Sequence, residues 1–311
     1  MNETKTKGKW TTSHIPSQKG RLIVITGTGG ISYETTLALA RAGGEVIVAG
    51  RNRSKGESAI KNIQSSVISS NIHFEELDLA HLASVEAAAK RMSSKYEKID
   101  VLINNAAVIM GQNRRVTKDG FELHFGTNYL GHFALTAHLM PLLRKGLNPR
   151  VVNVCAGAAN IGGINFDDLQ SEHKYTSMQA YGQSKQANLI FSIELHRRSV
   201  AENWGVMSIA AHPGLSRTDL PAYGIGENKM HPVARLIAQP AAQGALPILF
   251  AATSPEALSG QYYGPGGFGG MRGFPASAKI PSKAKDENTA KRLWETSKRL
   301  ANVDCDKISS M

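Results

Sequence analysis

The 311-residue chain has few of the features that define several protein classes. Its two cysteines, Cys155 and Cys305, cannot build a disulfide framework and form no cluster with histidine at metal-ligand spacing, so no metal site is expected. The apolar runs, such as residues 46–49 and 246–253, are shorter than the roughly 18 residues that cross a bilayer. Residues 1–9 are polar and basic and precede no apolar segment, so we expect no secretory signal there. These absences favour a cytoplasmic protein without a membrane span.

The charge balance is basic, with 36 Lys and Arg residues against 25 Asp and Glu residues and a formal net charge of +11. A charge of this size can serve binding to nucleic acid or to an anionic membrane. The basic residues are dispersed, however, among segments such as 90–95, 279–285 and 291–299, without aromatic side chains between them that could stack on bases. We therefore expect no nucleic-acid partner, and a solvated basic surface that attracts phosphorylated ligands.

Short apolar, β-branched runs alternate with helical patterns along the chain. Strands are predicted at residues 22–25, 45–49, 74–79, 101–103, 151–154 and 206–210. Helices are predicted at residues 33–42, 55–66, 82–95, 130–144 and 177–201. This order predicts an α/β protein whose Rossmann-type doubly wound parallel sheet has about seven strands with helices on both faces. We expect a single domain over residues 21–311, with residues 1–20 as a tail that packs on the outside through Trp10 and Ile15.

The first predicted strand ends in a glycine-rich turn, Thr26-Gly-Thr-Gly-Gly-Ile-Ser32, which leads directly into a helix. Glycines at such a turn let a pyrophosphate approach the backbone, and the helix N-terminus offers free amide groups. A glycine-rich turn alone is also a common structural feature, but its place between the first strand and a helix favours a dinucleotide site. Gly27, Gly29, Gly30 and Ile31 are therefore predicted cofactor contacts.

Two arginines follow the second predicted strand, in the run Gly50-Arg-Asn-Arg-Ser-Lys55. A carboxylate here would receive the ribose hydroxyls of NAD. Arg51 and Arg53 instead suit the additional 2′-phosphate of NADP, because guanidinium pairs with phosphate through two hydrogen bonds. The sequence therefore favours NADP over NAD, although both arginines could also belong to an ordinary solvated helix start.

Tyr181 and Lys185 lie four residues apart in a predicted helix. Four residues are about one helical turn, so both side chains project from one face and the ammonium group can favour the phenolate. The pair is a candidate for proton transfer, although the same spacing is frequent on ordinary amphipathic helices.

Taken together, these motifs resemble those of the short-chain dehydrogenases/reductases, and most of all the retinol-dehydrogenase-like oxidoreductases. The resemblance extends over nearly the whole chain and includes Asp78-Leu79, Asn104-Asn-Ala-Ala107 and Asn128. It implies that Asp78 and Leu79 lie against the adenine and that Asn105 and Ala106 line the cofactor. It also implies that Asn128 positions a water molecule behind Lys185.

Further along, His212-Pro-Gly214 together with Thr218 resembles the segment that holds the nicotinamide carboxamide in this family. Pro213, Gly214 and Thr218 are therefore expected to contact the cofactor, as are Tyr181 and Lys185. Family members often form dimers or tetramers through helices that correspond to residues 130–144 and 177–201. Monomers also occur, so the resemblance leaves a monomer or a homo-oligomer open.

The reaction that the resemblance implies is hydride transfer between NADPH and the carbonyl carbon of an aldehyde or ketone. Tyr181 donates a proton to the carbonyl oxygen, and the reverse reaction oxidises an alcohol. Lys185 is expected to lower the pKa of Tyr181 and to hold the nicotinamide ribose, while Asn128 completes a proton relay through water. His124, His132 and His212 are interpreted as core or turn residues.

Two departures from the family pattern affect the functional prediction. The turn is one residue shorter than the family's Thr-Gly-x-x-x-Gly-x-Gly, and Ser32 replaces its last glycine, which allows close packing between helix and strand. Ala156 replaces the family's active serine, and the loss of one such hydrogen-bond donor commonly costs about a hundredfold to a thousandfold in rate. Cys155 is expected to face away from the substrate, because neighbouring strand residues point to opposite faces. A hydroxyl such as that of Ser177, or a substrate with its own activating group, could compensate.

Two loops are candidates for the substrate mouth. Residues 260–270 predict a last strand that runs into a glycine-rich loop, and Tyr223 with residues 224–226 follows the carboxamide segment where the family carries its substrate lid. An apolar or bulky carbonyl partner fits this interpretation.

Three functions stay open on the sequence alone. An NADP-dependent oxidoreductase acting on small carbonyl compounds or alcohols is favoured. A redox-neutral isomerase, dehydratase or cyclase could use the same pocket with Tyr181 as the acid and base. A non-catalytic dinucleotide-binding protein is the third, but the intact set of Asn128, Tyr181 and Lys185 argues against it.

Overall fold

The computed structural model describes residues 9–160, 163–217, 222–223 and 238–304, with Met110 and residues 222–223 described by their backbone alone. The strands are β1 (Leu22–Thr26), β2 (Glu45–Gly50), β3 (Ile72–Glu76), β4 (Val101–Asn104), β5 (Ile109–Met110), β6 (Arg150–Val154), β7 (Met207–Ala211), β8 (Ala222–Tyr223), β9 (Tyr262–Gly267) and β10 (Arg272–Ser277). The helices are α1 (Ile31–Arg41), α2 (Arg53–Ser66), α3 (Leu82–Lys95), α4 (Gly131–Leu143), α5 (Ser177–Ala201), α6 (Ala241–Thr253) and α7 (Glu287–Ala301). A π-helical segment, Phe125–Leu130, leads directly into α4.

Eight of these strands form one sheet in the order β10-β9-β7-β6-β4-β1-β2-β3. All neighbouring strands are parallel except β9 and β10, which are antiparallel. The chain order runs outward in one direction from β1 to β3 and in the other from β4 to β10, so the switch point lies between β1 and β4. Ligands of doubly wound sheets bind beyond the carboxyl ends of the strands at this point. The predicted Rossmann-type fold is confirmed.

The central strands are buried on both faces, which explains why their sequences are continuous apolar runs instead of alternating patterns. Ile23, Val24 and Ile25 of β1, for example, are fully shielded from solvent. One hydrophobic cluster packs the sheet against α3, α4, α5 and α7, and the other packs it against α1, α2 and α6. The helices therefore cover both faces, as expected.

The described part of the leading segment attaches to the second of these clusters. Trp10 is buried and meets the ring of Phe250 edge to face, with 5.5 Å between the ring centroids, and Ile15 packs against the same cluster. Both residues that were expected to hold this segment thus contact the α6 side of the sheet.

The edges of the sheet differ from the expectation. The strand and loop predicted at residues 260–270 correspond to β9 and the turn after it, and β10 then adds an antiparallel edge strand that was not predicted. An edge position tolerates Pro275, which has no N–H to share with a neighbour. β3 is displaced towards the N-terminus relative to the predicted residues 74–79. Asp78 ends the extended backbone there, since its carboxylate accepts a hydrogen bond from Ala80 N at 3.0 Å and closes a turn. The short parallel pair of β5 and β8 was not predicted.

Helix α7 packs across α4 and α5. Trp294 is buried, with its ring centroid 5.2 Å from that of Phe133 and 5.8 Å from that of Phe191. Tyr129 and Ser297 share a hydrogen bond of 2.7 Å between their hydroxyl oxygens. The face of α4 and α5 through which the resemblance suggested oligomers is thus covered in part by the chain's own helix.

Candidate active site

The turn between β1 and α1 lies at the switch point. Gly30 has φ 54° and ψ −120°, a conformation that is essentially restricted to glycine. A Cβ on Gly27 would lie 2.9 Å from Ser32 Oγ, so a side chain there would force the turn apart, whereas a Cβ on Gly29 would meet no atom within 4 Å. Helix α1 begins at Ile31 directly after this turn. The predicted contacts Gly27, Gly29, Gly30 and Ile31 thus lie together in the turn that leads into α1, where Gly29 is exposed, Gly27 and Gly30 are half-buried and Ile31 is buried. Their contact with a pyrophosphate stays a prediction.

Ser32 lies inside this turn. The residue is buried and its hydroxyl donates to Gly29 O at 2.8 Å. The replacement of the family's last glycine is therefore accommodated by a hydrogen bond within the turn.

The end of β1 is linked to the end of β4 through Thr26. Its Oγ1 accepts hydrogen bonds from Asn105 N and Ala106 N, both at 2.9 Å, while Asn105 Nδ2 donates to Thr26 O at 3.1 Å. Asn105 and Ala106, which were predicted to line the cofactor, are thereby held against the glycine-rich turn.

His132 extends this link to Asn128. His132 Nδ1 lies 2.9 Å from Asn128 O and Nε2 lies 2.9 Å from Thr26 Oγ1. Because a carbonyl oxygen only accepts, the proton sits on Nδ1, and Nε2 accepts from the threonine hydroxyl. Burial lowers the pKa of His132 to about 4, which agrees with a neutral ring. Sequence reasoning treated His132 as a core residue, and no local motif reveals this bridge between residues 26 and 128.

Asn128 lies in the π-helical segment, and its side chain joins two elements. Its Oδ1 accepts from Val108 N at 2.7 Å, and its Nδ2 donates to Val108 O and to Ser184 Oγ, both at 3.1 Å. Both amide hydrogens are therefore used inside the protein. Acceptor capacity for a water molecule is left on Oδ1, which has a second lone pair beyond its bond from Val108 N, and the water-positioning role stays a prediction.

Tyr181 and Lys185 lie together on α5, as predicted. Both are buried, and Lys185 Nζ lies 6.0 Å from the centre of the Tyr181 ring and donates to Val154 O at 3.0 Å. Burial lowers the pKa of Lys185 to about 8. Burial also raises the pKa of Tyr181, with a smaller contribution from Cys155 in the same direction. The pKa of Tyr181 is therefore shifted upward where a lowered value was expected, because burial penalises the charged phenolate. The influence of Lys185 on the tyrosine stays a prediction.

Cys155 and Ala156 follow β6 directly. Cys155 is sealed in the hydrophobic cluster on the α5 side, and burial raises the pKa of its thiol to about 12. Such a thiol is neutral and unreactive at physiological pH, so it fits a structural cysteine. Ala156 is half-buried and carries no donor.

The adenosine end of the candidate site lies beyond β2 and β3. Asp78 N donates to Ser84 Oγ at 3.0 Å, and Leu79 is buried where its carbonyl approaches Gly131 at the start of α4. Arg51 is exposed at the end of β2. Arg53, which opens α2, lies over the Phe74 ring at 5.3 Å.

Two carboxylates already accompany the predicted phosphate ligand Arg53. Its guanidinium lies 3.4 Å from Glu57 and 3.4 Å from Glu76, and all three side chains are more than half exposed. Exposed ion pairs of this kind are weak, so a phosphate could compete for the guanidinium.

The segment after β7 lies beside the β9–β10 hairpin. Gly214 N donates to His212 Nδ1 at 3.2 Å, Pro213 O accepts from Gln239 Nε2 at 2.8 Å, and Leu215 N donates to Met271 O at 2.8 Å. Pro213 and Gly214 are thus fixed at the carboxyl end of the sheet, where the carboxamide is expected. Thr218 and residues 224–226 lie outside the described residues.

Two further structural observations bear on function. None of the described helices is long and apolar enough to cross a membrane. Within the same described ranges, no group of three or more His, Cys, Asp or Glu side chains is placed to hold a metal ion.

Comparison with known proteins supports the class that the sheet order and the glycine-rich turn define, a Rossmann-type α/β protein. The family model described as short chain dehydrogenase matches residues 21–224. Retinol dehydrogenase 13 of Homo sapiens is 36% identical over 299 residues, which cover 93% of this chain and 87% of that protein. Polyprenol dehydrogenase of Mus musculus is 34% identical over 298 residues, covering 93% and 86%.

Solved structures give the same result. A structure of an uncharacterised protein from Mycobacterium paratuberculosis is 36% identical and has a TM-score of 0.79, covering 96% of this chain and 99% of that one. The NADP complex of Pseudomonas aeruginosa RhlG shares the fold, with a TM-score of 0.63 at 20% identity over 79% of this chain and 94% of that one. The chain belongs to the short-chain dehydrogenase/reductase family, in its retinol-dehydrogenase-like subgroup. It is an oxidoreductase, which removes the non-catalytic alternative.

Proposed function

We propose that the protein is an NADP-dependent oxidoreductase that interconverts a carbonyl compound and an alcohol, with Tyr181 as the acid and base. The observation that carries this proposal is the burial of Tyr181 and Lys185 together on α5, with Asn128 held against the same helix through Ser184. A buried phenol next to a buried ammonium is suited to proton transfer with an oxygen atom.

The chain's residues fit a dinucleotide. The backbone from Gly27 to Ile31, which a side chain on Gly27 would disrupt, would hold the pyrophosphate. The remaining cofactor contacts would be Arg51, Arg53, Asp78, Leu79, Asn105, Ala106, Pro213, Gly214 and Thr218, with Tyr181 and Lys185 at the nicotinamide ribose. When bound, the nicotinamide supplies the hydride.

The protein's own part in carbonyl reduction is to hold and deliver one proton. Burial raises the pKa of Tyr181, so its phenol stays protonated at neutral pH and can donate to the developing alkoxide. Lys185, with a pKa lowered to about 8, is still mostly charged at pH 7 and stabilises the phenolate that remains. Ala156 donates no hydrogen bond to the substrate oxygen. Tyr181 would therefore orient that oxygen without the second donor of the family pattern.

The choice of NADP rests on the residues after β2. The positions that follow this strand carry Arg51 and Arg53 and no carboxylate that could take the ribose hydroxyls. To bind the phosphate, Arg53 would exchange its exposed contacts with Glu57 and Glu76 for it. The scarcity of cysteine supports a reducing compartment, for which we propose the cytoplasm.

We propose an apolar alcohol or carbonyl compound as the substrate. Phe268 and Met271 are exposed on the β9–β10 turn, next to the segment around Gly214. Apolar side chains at this edge would favour an apolar partner. The relatives named for retinol and polyprenol act on molecules of that character, which agrees with this choice.

The test begins with cofactor binding. NADPH and NADH are titrated against the purified protein while quenching of its three tryptophans is followed. We expect tighter binding of NADPH, and Arg51→Ala should weaken NADPH while leaving NADH within about twofold, because only NADPH carries the 2′-phosphate. Equal binding of both nucleotides by the wild type would contradict the choice of NADP.

Turnover is then measured with a panel of apolar aldehydes and ketones. Tyr181→Phe should abolish most of the activity while NADPH binding persists. If NADPH binds but the whole panel is inert and Tyr181→Phe changes nothing, the proposed reaction is wrong.

A redox-neutral reaction at the same tyrosine is the second candidate, and membership of an oxidoreductase family argues against it as the main activity. Ala156 favours it, because the oxygen-binding donor of the family pattern is absent. The products decide between the two functions. Stoichiometric consumption of NADPH with formation of alcohol excludes the redox-neutral reaction, whereas a product formed without oxidation of NADPH supports it.

A further inference from the structure

Two buried titratable residues, Glu122 and His124, have no part in the chemistry described so far. Their side chains are 1% and 0% exposed. Glu122 Oε1 accepts hydrogen bonds from His124 N at 3.0 Å and lies 2.9 Å from His124 Nδ1, while Oε2 accepts from Phe125 N at 2.8 Å. Both oxygens thus accept from backbone N–H groups, and His124 Nδ1 is placed to be the third donor. The carboxylate thereby fixes the orientation of the imidazole ring.

The imidazole ring of His124 packs against Tyr181. The two ring centroids are 6.0 Å apart and the ring planes meet at 72°, which is the edge-to-face geometry that aromatic pairs prefer. Because Glu122 holds the His124 ring, Tyr181 has a rigid neighbour on this side.

The same pair is attached to the segment between β6 and α5. Glu122 N donates to Gln170 Oε1 at 2.7 Å, and Arg114 Nε donates to Gln170 O at 2.9 Å. Gln170 is therefore held on both its side chain and its main chain by residues that precede the π-helical segment.

A second attachment follows Tyr181 by two residues on α5. Gln183 Oε1 accepts from Asn165 N at 2.9 Å, and Gln183 Nε2 donates to Leu169 O at 3.0 Å. Residues 163–176 are thus attached at two places near Tyr181 in the chain or in space, to Glu122 through Gln170 and to Gln183 through Asn165 and Leu169.

We propose that Glu122 and His124 are positioning residues that fix the ring of Tyr181, and that Gln170 transmits the placement of residues 163–176 to them. The inference rests on the proposed function of Tyr181 as the proton donor. The physical reason for this proposal is that residue 156 is an alanine, which offers no second hydrogen-bond donor to the substrate oxygen. The Tyr181 hydroxyl must then position that oxygen, so a displacement of its ring lowers the reaction rate more. A misplacement of about 1 Å can cost about a hundredfold in rate.

The kinetic test compares His124→Ala, Gln170→Ala and the control Ser297→Ala. The control removes a buried hydrogen bond to Tyr129 in the same π-helical segment and leaves the surroundings of Tyr181 intact. We expect kcat to fall about tenfold to a hundredfold in His124→Ala and a few-fold in Gln170→Ala. KM and the affinity for NADPH should stay within about twofold, since neither residue is proposed to touch a ligand.

Solvent isotope effects separate positioning from a loss of folded protein. A misplaced Tyr181 slows proton transfer, so the effect of D2O on kcat should grow in His124→Ala and stay at the wild-type value in Ser297→Ala. A purely structural role would lower kcat in proportion to the folded fraction and leave the isotope effect unchanged. If His124→Ala does not fold, His124→Phe keeps a ring beside Tyr181 and removes the N–H to Glu122.

A spectroscopic measurement tests the positioning without any turnover. In protein labelled with ¹³C at tyrosine Cζ, the Tyr181 signal is assigned from its absence in Tyr181→Phe. We expect this signal to shift or broaden in His124→Ala and in Gln170→Ala, and to stay in place in Ser297→Ala. An inert wild type would refute the proposed reaction and leave this measurement valid. An unmoved Tyr181 signal in both variants, with an unchanged isotope effect, overturns the positioning role.

Discussion

The hydroxyl of Ser32 donates a hydrogen bond to the main-chain oxygen of Gly29 at 2.8 Å, across the turn that is one residue shorter than the family pattern. The contact joins the first turn of α1 to the residue that precedes Gly30. Ser32 thereby stabilises the backbone that we propose to hold the pyrophosphate, at the position where the family has a glycine.

Removing this hydroxyl should weaken cofactor binding. We expect Ser32→Ala to raise the dissociation constant of NADPH about fivefold, because one intramolecular hydrogen bond contributes about 1 kcal/mol. Thr36→Val is the matched control: Thr36 is buried in the same helix, and its hydroxyl has no hydrogen-bond partner in the described structure. Calorimetric titration with NADPH checks both variants. Equal affinities in Ser32→Ala and Thr36→Val would show that the hydroxyl does not shape the site.

The sequence predicts the centre of this fold better than its edges. The inner strands are continuous apolar runs because both faces are buried, and such runs are easy to recognise. Helix α6 was not predicted, because it is apolar on most sides and contains Pro247, so its sequence shows no amphipathic period. Strand β10 was not predicted either, because its glycine and proline are more typical of a loop, and only a sheet edge tolerates them in a strand.

The candidate site divides in a similar way. The proximity of Tyr181 and Lys185 follows from helical spacing and could be predicted. The bridge from Thr26 through His132 to Asn128 could not, because it joins residues that only the fold brings together. The sign of the Tyr181 pKa shift was also out of reach, since it depends on how completely the phenol is buried.

Restoring a hydroxyl at position 156 should increase the reduction rate. Ala156 directly follows Cys155 at the end of β6. A serine there would supply the donor that the family pattern places against the substrate oxygen, and such donors contribute about a hundredfold to a thousandfold. We expect kcat of Ala156→Ser to rise at least tenfold, with little change in NADPH affinity. Ala156→Gly is the control, and a serine variant no faster than the glycine variant would indicate that another group already fulfils this role.

The pH dependence of carbonyl reduction should follow Lys185. Burial lowers its pKa to about 8, so the ammonium is charged below that pH and is lost above it. The raised pKa of Tyr181 keeps the phenol protonated over the same range. We expect kcat/KM to be level from about pH 6 to about pH 8 and then to fall up to tenfold per pH unit. Lys185→Arg keeps its charge to much higher pH, and the descending limb should disappear from its profile.

We expect the chain to be a monomer, because α7 covers part of the face of α4 and α5 through which the resemblance suggests oligomers. Light scattering should give the mass of a single chain, 33.5 kDa. Trp294 fills the interface between these helices, with the Arg198 guanidinium 4.4 Å from its ring, so Trp294→Ala should cost about 3–5 kcal/mol of stability. A stable wild-type dimer in which cross-links join α4 of one copy to α5 of the other would contradict this interpretation.

Acid should destabilise the protein through two buried histidines. Burial lowers the pKa of His132 and that of His212 to about 4 each. Between pH 6.5 and pH 4 the unfolded chain binds protons at these positions and the folded chain does not, so the free energy of unfolding falls as the pH falls. The loss is about 2 kcal/mol for each histidine on going from pH 7 to pH 5.

Urea unfolding of the wild type and of His132→Gln at both pH values measures how much of this loss in unfolding free energy comes from His132. The difference between the two pH values should shrink by about 2 kcal/mol in His132→Gln. If His132→Gln loses as much unfolding free energy between pH 7 and pH 5 as the wild type, His132 is already charged in the folded protein. The assignment of a single ring proton to Nδ1 of His132 would then be wrong.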